Sequence, residues 1–138
     1  MNGNGDTIRS AVFVMNADGS NARRITPWAL RAGDHPDWSP AGKRILFHSN
    51  QDGPDAISAN IYTIRPDGTG LRQLTHARGG TVQHASSSFS PDGKWITFAR
   101  RTGDSNADVF VMHANGTQVR NVTRSAIWDS APDWGATG

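Results

Sequence analysis

The 138-residue chain contains no cysteine and no glutamate, and none of its apolar stretches is long enough to span a bilayer. Without cysteine it has no disulfide framework, thiolate zinc site or cysteine nucleophile. Its twelve acidic residues are all Asp, it has 15 Gly and 7 Pro, and Lys is scarce. Because Glu and Lys favour helices whereas Asp, Gly and Pro favour turns, this composition predicts strands joined by tight turns.

Charge and the N-terminal residues exclude further classes of function. The formal net charge of +2 is too small to favour nucleic acid or an anionic membrane as a partner. Residues 1–6 (MNGNGD) have neither the basic region nor the apolar region of a signal peptide. We therefore expect no nucleic-acid binding, no membrane insertion and no signal peptide within this chain.

A sequence motif recurs three times. Residues 12–20 (VFVMNADGS) return as 61–69 (IYTIRPDGT) and as 109–117 (VFVMHANGT), at intervals of 49 (12 to 61) and 48 (61 to 109) residues. A few residues after each copy, an arginine leads to an apolar residue and a threonine: Ile25-Thr26, Leu74-Thr75 and Val122-Thr123. Such Asp-Gly and Asn-Gly turns between apolar runs predict β-hairpins, in which the glycine adopts a positive φ. We expect this conformation at three glycines: Gly19, Gly68 and Gly116.

A second motif alternates with the first. Residues 37–43 (DWSPAGK) match 88–94 (SFSPDGK), and a third copy begins at 132–134. In these turns Pro40 and Pro91 preset φ at the second turn position. Trp38 and Trp134 share the repeat position of Phe89, so we expect both tryptophans to pack in a core between successive repeats.

Each repeat thus holds four short strands, which is typical of a β-propeller blade. Eleven strands are predicted, at residues 11–16, 22–26, 35–39, 43–49, 60–65, 71–75, 85–89, 94–100, 108–113, 119–123 and 131–134. The prediction is an all-β partial propeller of about 2.75 four-stranded blades. It divides into a half blade (1–26), two blades (27–75 and 76–123) and the first strand of another (124–138).

Both motifs resemble the TolB-type, WD40-like (PD40) β-propeller repeat, which carries Trp-Ser-Pro-Asp-Gly-Lys and Ile-Tyr-Val-Met-Asn-Ala-Asp-Gly. The resemblance implies a non-enzymatic scaffold without a cofactor that docks a protein partner through the loops between blades. It also implies a periplasmic or secreted bacterial protein. Two alternatives stay open: a fragment of the propeller domain of a prolyl-oligopeptidase-type serine peptidase, or of a propeller lyase acting on acidic sugars.

The number of blades also predicts association. A propeller has four to eight blades, and an open arc leaves the apolar faces of its end blades without a neighbour. We therefore expect the chain either to belong to a longer propeller or to self-associate with other copies and complete a toroid.

Candidate partner-binding residues are side chains outside the repeated core and turn positions. The tryptophans Trp28 and Trp128 precede the first strands of blades, and the histidines lie in or beside the loops that enter those strands, which in propellers approach the central channel. Arginines can bind carboxylates or phosphates through two hydrogen bonds. The predicted set is Trp28, Arg31, His35, His76, Arg78, His84, Arg100, Arg101 and Trp128.

Two loops rich in oxygen ligands suggest a calcium site, since calcium is bound by carboxylate and carbonyl oxygens. The loops contain Asn50, Asp52 and Asp55 in one repeat and Asp104, Asn106 and Asp108 in the next. Neither loop has the spacing of an EF-hand. The histidines lack His-x-x-His spacing, and no Gly-x-Ser-x-Gly motif occurs, so no catalytic site is predicted.

Overall fold

The computed structural model describes residues 10–32, 35–49, 59–77, 82–102 and 107–123. This part of the chain is all-β apart from one short 3-10 helix. Its strands are β1 (Phe13–Val14), β2 (Arg23–Arg24), β3 (Asp37–Trp38), β4 (Ile45–Ser49), β5 (Asn60–Ile64), β6 (Arg72–Gln73), β7 (Val82–Phe89), β8 (Trp95–Thr102), β9 (Asp108–His113) and β10 (Arg120–Asn121). In the described ranges, no helix is both long and hydrophobic enough to cross a membrane.

The strands form three antiparallel sheets in which neighbours in sequence are neighbours in space. The first sheet is β1-β2, the second is β3-β4-β5-β6, and the third is β7-β8-β9-β10. Each four-stranded sheet is the meander expected of a propeller blade. The first ten predicted strands each have a counterpart, and the eleventh, at 131–134, lies outside the described residues.

Two local features differ from the sequence prediction. The strand predicted at 85–89 begins at Val82, because a shift in register between Ala85 and Ser88 lets β7 continue pairing with β8. Ser86 has φ of +52° at this bulge. A 3-10 helix at Trp28–Leu30, predicted as loop, follows Pro27 and buries the Leu30 side chain.

The Asp-Gly and Asn-Gly turns have the predicted geometry. Gly19, Gly68 and Gly116 have φ of +86°, +85° and +88°. In the first turn, Gly19 N donates to Asn16 O at 2.9 Å, and Asp18 Oδ1 accepts from Ser20 N at 2.9 Å. Hydrogen bonds from the side chain and backbone of Ser20 lower the pKa of Asp18. The aspartates therefore recur because their carboxylates hold these turns closed.

The threonine that follows the last strand of each sheet binds the start of the neighbouring strand in the same sheet. Thr75 Oγ1 accepts from Ile61 N at 2.9 Å and donates to Asn60 Oδ1 at 3.0 Å. Thr26 Oγ1 accepts from Val12 N at 2.9 Å in the same way, and Thr123 Oγ1 accepts from Val109 N at 3.0 Å. Thr75 is buried, so its hydroxyl satisfies a backbone donor that water does not reach.

Replacing Thr75 with valine is expected to lower the free energy of unfolding by about 1–3 kcal/mol, because Ile61 N loses its buried acceptor. Urea denaturation measures the change. Thr75→Ser keeps the hydroxyl and should recover most of the loss. If serine is no more stable than valine, the hydroxyl does not hold the strand.

Two apolar clusters join consecutive sheets. The first junction, between β1-β2 and the second sheet, is formed by Val12, Ile25, Leu30, Ala32, Ile45, Phe47, Tyr62 and Ile64. The second junction, between the second and third sheets, is formed by Leu46, Ile61, Leu74, Phe89, Ile96, Phe98 and Met112. The sheets therefore stack face to face, each burying one face on its neighbour.

The prediction that Trp38 packs in the core is wrong, because its side chain is 49% exposed. Its repeat equivalent Phe89 is buried in the second junction with Leu46, and Phe89 N donates to Asp37 Oδ2 at 2.9 Å. Within the described residues, β1 pairs only with β2, so no strand equivalent to β3 or β4 lies opposite Trp38. Trp134 lies outside the described ranges.

Candidate functional site

A pocket of about 320 Å³ opens at one end of the second junction. One wall is the segment Leu74–Ala77, which leaves the second sheet after β6. The other wall comes from the third sheet, with Phe98 and Arg100 on β8. The complete lining is Leu74, Thr75, His76, Ala77, Val82, His84, Phe98, Arg100 and Val119. The pocket is thus mostly apolar and contains one arginine and two histidines, the composition usual for a small-ligand or peptide site.

His84 is held rigidly in the wall of this pocket. Its side chain is only 5% exposed, and its ring lies 5.6 Å from the ring of Phe98. Nδ1 lies 2.9 Å from the carbonyl oxygen of Ala59. Because a carbonyl only accepts, Nδ1 carries the proton, and Nε2 of the neutral ring is left as an acceptor. Burial, and then the positive charge of Arg100, lower the pKa of His84, so the ring is neutral at pH 7.

Arg100 is the cation of the pocket. It pairs across the sheet with His84 on one side and with Asp108 on the other. Its guanidinium lies 5.3 Å from the centre of the Phe110 ring, and its buried Nε has no hydrogen-bond partner among the described residues. Because Nε is buried, a ligand in the pocket would meet the positive charge of the Arg100 guanidinium rather than this donor.

The equivalent position in the first junction is closed. When the two repeats are aligned, Phe47 matches Phe98 and Ser49 matches Arg100. In the first of these repeats, Ser49 is paired across the strands with Ala32. In the second, Arg100 is paired with His84. Ala32 and Ser49 are 2% and 1% exposed, and Ser49 Oγ donates to the carbonyl oxygen of Leu30. Leu30 packs into the same cluster. The second junction thus departs from the repeat at this position, where arginine and histidine stand in place of two small residues.

The structure brings together three of the predicted partner-binding residues, His76, His84 and Arg100. Arg101 does not join them, because successive residues of a strand face opposite sides of the sheet and only Arg100 lines the pocket. Arg78 and Trp128 lie outside the described ranges, although Arg78 follows directly after the pocket wall in sequence.

Trp28, Arg31 and His35 lie at the first junction, away from the pocket. Trp28 is 39% exposed, contacts the edge of Phe13 and has the Arg24 guanidinium 4.8 Å from its ring centre. Arg31 ends the 3-10 helix with φ of +46°, and His35 is exposed with φ of +63°. These three residues do not form a common site with the pocket and stay separate predictions.

Asp108, predicted as a calcium ligand, takes part in a hydrogen-bond network of the fold. Its Oδ2 accepts from Asn121 Nδ2 at 3.0 Å and its Oδ1 from Thr123 Oγ1 at 3.4 Å. Asn60, at the same repeat position, accepts from Thr75. In the ranges with assigned structure, no three potential metal-ligating side chains cluster. Asn50, Asp52, Asp55, Asp104 and Asn106 lie outside those ranges, so the calcium site stays a prediction.

The sequence prediction missed the apolar lining of the pocket, including Val82, Phe98 and Val119. Phe98 is a core residue of the repeat, and nothing in its own type marks it as a site residue. The sequence nevertheless indicates the site, because Arg100 stands at the position where the preceding repeat has Ser49. A comparison of the repeats position by position finds this difference.

The lowered pKa of His84 predicts a specific dependence of stability on pH. The unfolded chain binds a proton below the usual histidine pKa of 6.5, whereas folded His84 resists protonation. The free energy of unfolding should therefore fall as pH decreases from 6.5 towards the folded pKa. Urea denaturation at several pH values between 7.5 and 5, compared with His84→Gln, measures this contribution. A glutamine variant with the same slope as the original chain would contradict the prediction.

No protein-family model matches the chain. Among curated proteins, it is similar to the Tol-Pal system protein TolB of Anaeromyxobacter dehalogenans, with 35% identity over 72% of the chain and 21% of the relative. It is also similar to dipeptidyl-peptidase 5 of Porphyromonas endodontalis, with 31% identity over 65% of the chain and 12% of that relative. The chain thus spans less than a quarter of either relative.

Among solved structures, the fold is similar to that of a protein from Agrobacterium tumefaciens described as a TolB. The TM-score is 0.68 with 24% identity, covering 80% of this chain and 40% of that one. This likeness supports the propeller fold. On the repeat, the blade topology and these relatives together, the chain belongs to the TolB-type β-propeller family.

Proposed function

We propose that the chain is a non-enzymatic interaction module that binds a peptide segment of a protein partner in the pocket of the second junction. The observation that carries this proposal is the pocket itself, which is lined by His84 and Arg100 at the positions where the first junction has Ala32 and Ser49. The segment between two blades forms one wall, in keeping with binding through blade-connecting loops. Membership of the TolB-type family supports a docking role, since the name of the TolB relative places that protein in the Tol-Pal system.

Selection from a displayed library of random peptides tests the proposal. The selected peptide would be titrated into ¹⁵N-labelled protein, and we expect the amide signals of Thr75–Ala77 and Val82–His84 to shift. The signals of Gly19 and Gly42, in turns outside the pocket lining, serve as internal controls. Failure to enrich any peptide, or shifts that cluster outside the pocket, would contradict the proposal.

The relative named dipeptidyl-peptidase 5 favours a second candidate, in which the chain is part of the propeller of a serine peptidase. A hydrolase domain with a Gly-x-Ser-x-Gly motif in the same reading frame would favour this candidate. Further repeats of the motif alone would favour the interaction module.

We also propose that self-association covers the open face of the first sheet and β3. Phe13, Met15 and Trp38 are 52%, 62% and 49% exposed there, and they line a groove of about 290 Å³ with Val14 and Ile45. Exposed apolar side chains grouped in this way favour contact with another polypeptide. Light scattering after size exclusion should give a multimer that Trp38→Ser weakens. A monomer at all concentrations would overturn this part of the proposal.

A further inference from the structure

The pocket combines three chemical features that a single ligand group can satisfy together. Arg100 supplies a cation whose Nε lacks an acceptor among the described residues. In neutral His84, Nδ1 donates its hydrogen to the carbonyl oxygen of Ala59, so Nε2 is the ring atom available to accept a hydrogen bond. Leu74, Val82 and Val119 supply apolar surface. The matching ligand has a carboxylate, an N–H group and an apolar side chain close together.

We infer that the pocket binds the carboxylate of an apolar amino-acid residue, as found at the C-terminus of a peptide. Arg100 binds the carboxylate, His84 accepts from the amide N–H, and the apolar side chain lies against Leu74 and Val82. This inference rests on the proposed function and adds the chemical group that is recognised. The volume of about 320 Å³ is at the lower end for ligand pockets and suits the end of a chain better than its middle.

Asp108 does not prevent an anion from binding, although it pairs with Arg100 across the sheet. Its two carboxylate oxygens accept from Asn121 and Thr123, so its charge is already engaged in the fold. Arg100 has its contacts elsewhere, on the ring of Phe110. Since arginine stays protonated over the whole working range of pH, the cation is constant.

Small probes test the group that is recognised. N-acetyl-leucine and N-acetyl-leucinamide differ only in the carboxylate, and each would be titrated into the labelled chain. We expect the acid to bind at least about ten-fold more tightly than the amide, as for a hydrogen bond to a charged group.

Arg100→Ser should lower the affinity of the acid to that of the amide. Arg72→Ser, an exposed arginine on β6 outside the pocket, is the control for losing one positive charge. Equal affinity for acid and amide in the original chain would overturn the inference.

The selected peptide shows whether the pocket binds a C-terminal carboxylate or the side chain of an internal Asp or Glu. It also distinguishes this inference from the proposed function. Amidation of its C-terminus should weaken binding about ten-fold or more, whereas changing its internal Asp and Glu to Asn and Gln should not. If the peptide binds in the pocket but tolerates amidation, the inference fails and the proposed function stands. If N-acetyl-leucine binds and no peptide does, the proposed function fails and carboxylate recognition stands.

Discussion

Replacing Phe98 with alanine is expected to lower the free energy of unfolding by about 3–5 kcal/mol. Phe98 is fully buried in the second junction, where it stacks on Phe110 with ring centres 5.7 Å apart. It packs in one cluster with Leu46 and Ile61 of the preceding sheet. Alanine would leave a cavity between two sheets whose backbones are fixed by their own ladders, so the site cannot close by a small movement. Urea denaturation measures the loss.

Phe13→Ala, measured at a concentration at which the chain is monomeric, is the matched control, because it removes the same atoms from a side chain that is 52% exposed. Phe13 lies on β1 and contacts mainly the edge of Trp28. The control should cost about 1 kcal/mol or less, since little apolar surface is lost from water. Equal losses for the two variants would mean that the sheets do not pack on Phe98.

Replacing Gly116 with alanine is expected to destabilise the chain by about 2–4 kcal/mol, from the positive φ together with overpacking. Gly116 has φ of +88°, and a Cβ added there would lie 2.9 Å from the carbonyl oxygen and 3.2 Å from the Cα of Leu74. Both atoms are backbone, so neither can move aside without shifting the segment that leads into the pocket. The turn of the third sheet is thus packed against the end of the second.

Gly19→Ala separates the two causes. Gly19 occupies the same turn position with φ of +86°, but nothing lies within 4 Å of the added Cβ. It should therefore show only the backbone cost, about 1–2 kcal/mol. The difference between the two variants in thermal or urea denaturation measures the contact between sheets. If Gly19→Ala is as damaging as Gly116→Ala, that contact is not needed for stability.

The sequence was sufficient to predict the sheets because each strand and turn is specified locally. Pro40, Gly42 and the Asp-Gly pairs set the turns, and the repeat interval then places successive blades. Packing between sheets depends on which strands lie opposite a residue in the neighbouring sheet. The repeated motif does not encode the presence of those strands. Trp38 and Phe89 share one position of the motif, yet Phe89 has β4 opposite it and Trp38 has no equivalent strand among the described residues.

The candidate site could be predicted only in part. The prediction of His76 and His84 rests on the loops that enter the blades, the prediction of Arg100 rests on its guanidinium, and the structure groups all three residues. Arg101 was selected with Arg100, although the alternation of side chains in a strand already separates adjacent residues. The bulge near Ser86 depends on the pairing of β7 with β8, and the apolar lining depends on packing between sheets, so single residues did not reveal them.

Exchanging His84 for alanine and Arg100 for serine in one variant tests the central claim most directly, because it gives the second junction the residue pair of the first, Ala32 and Ser49. Calorimetric titration with the selected peptide should show that this double variant binds at least ten-fold more weakly than the original chain. Its denaturation curve should still be cooperative. A double variant that binds the peptide with unchanged affinity would contradict the claim that this departure from the repeat creates the binding site.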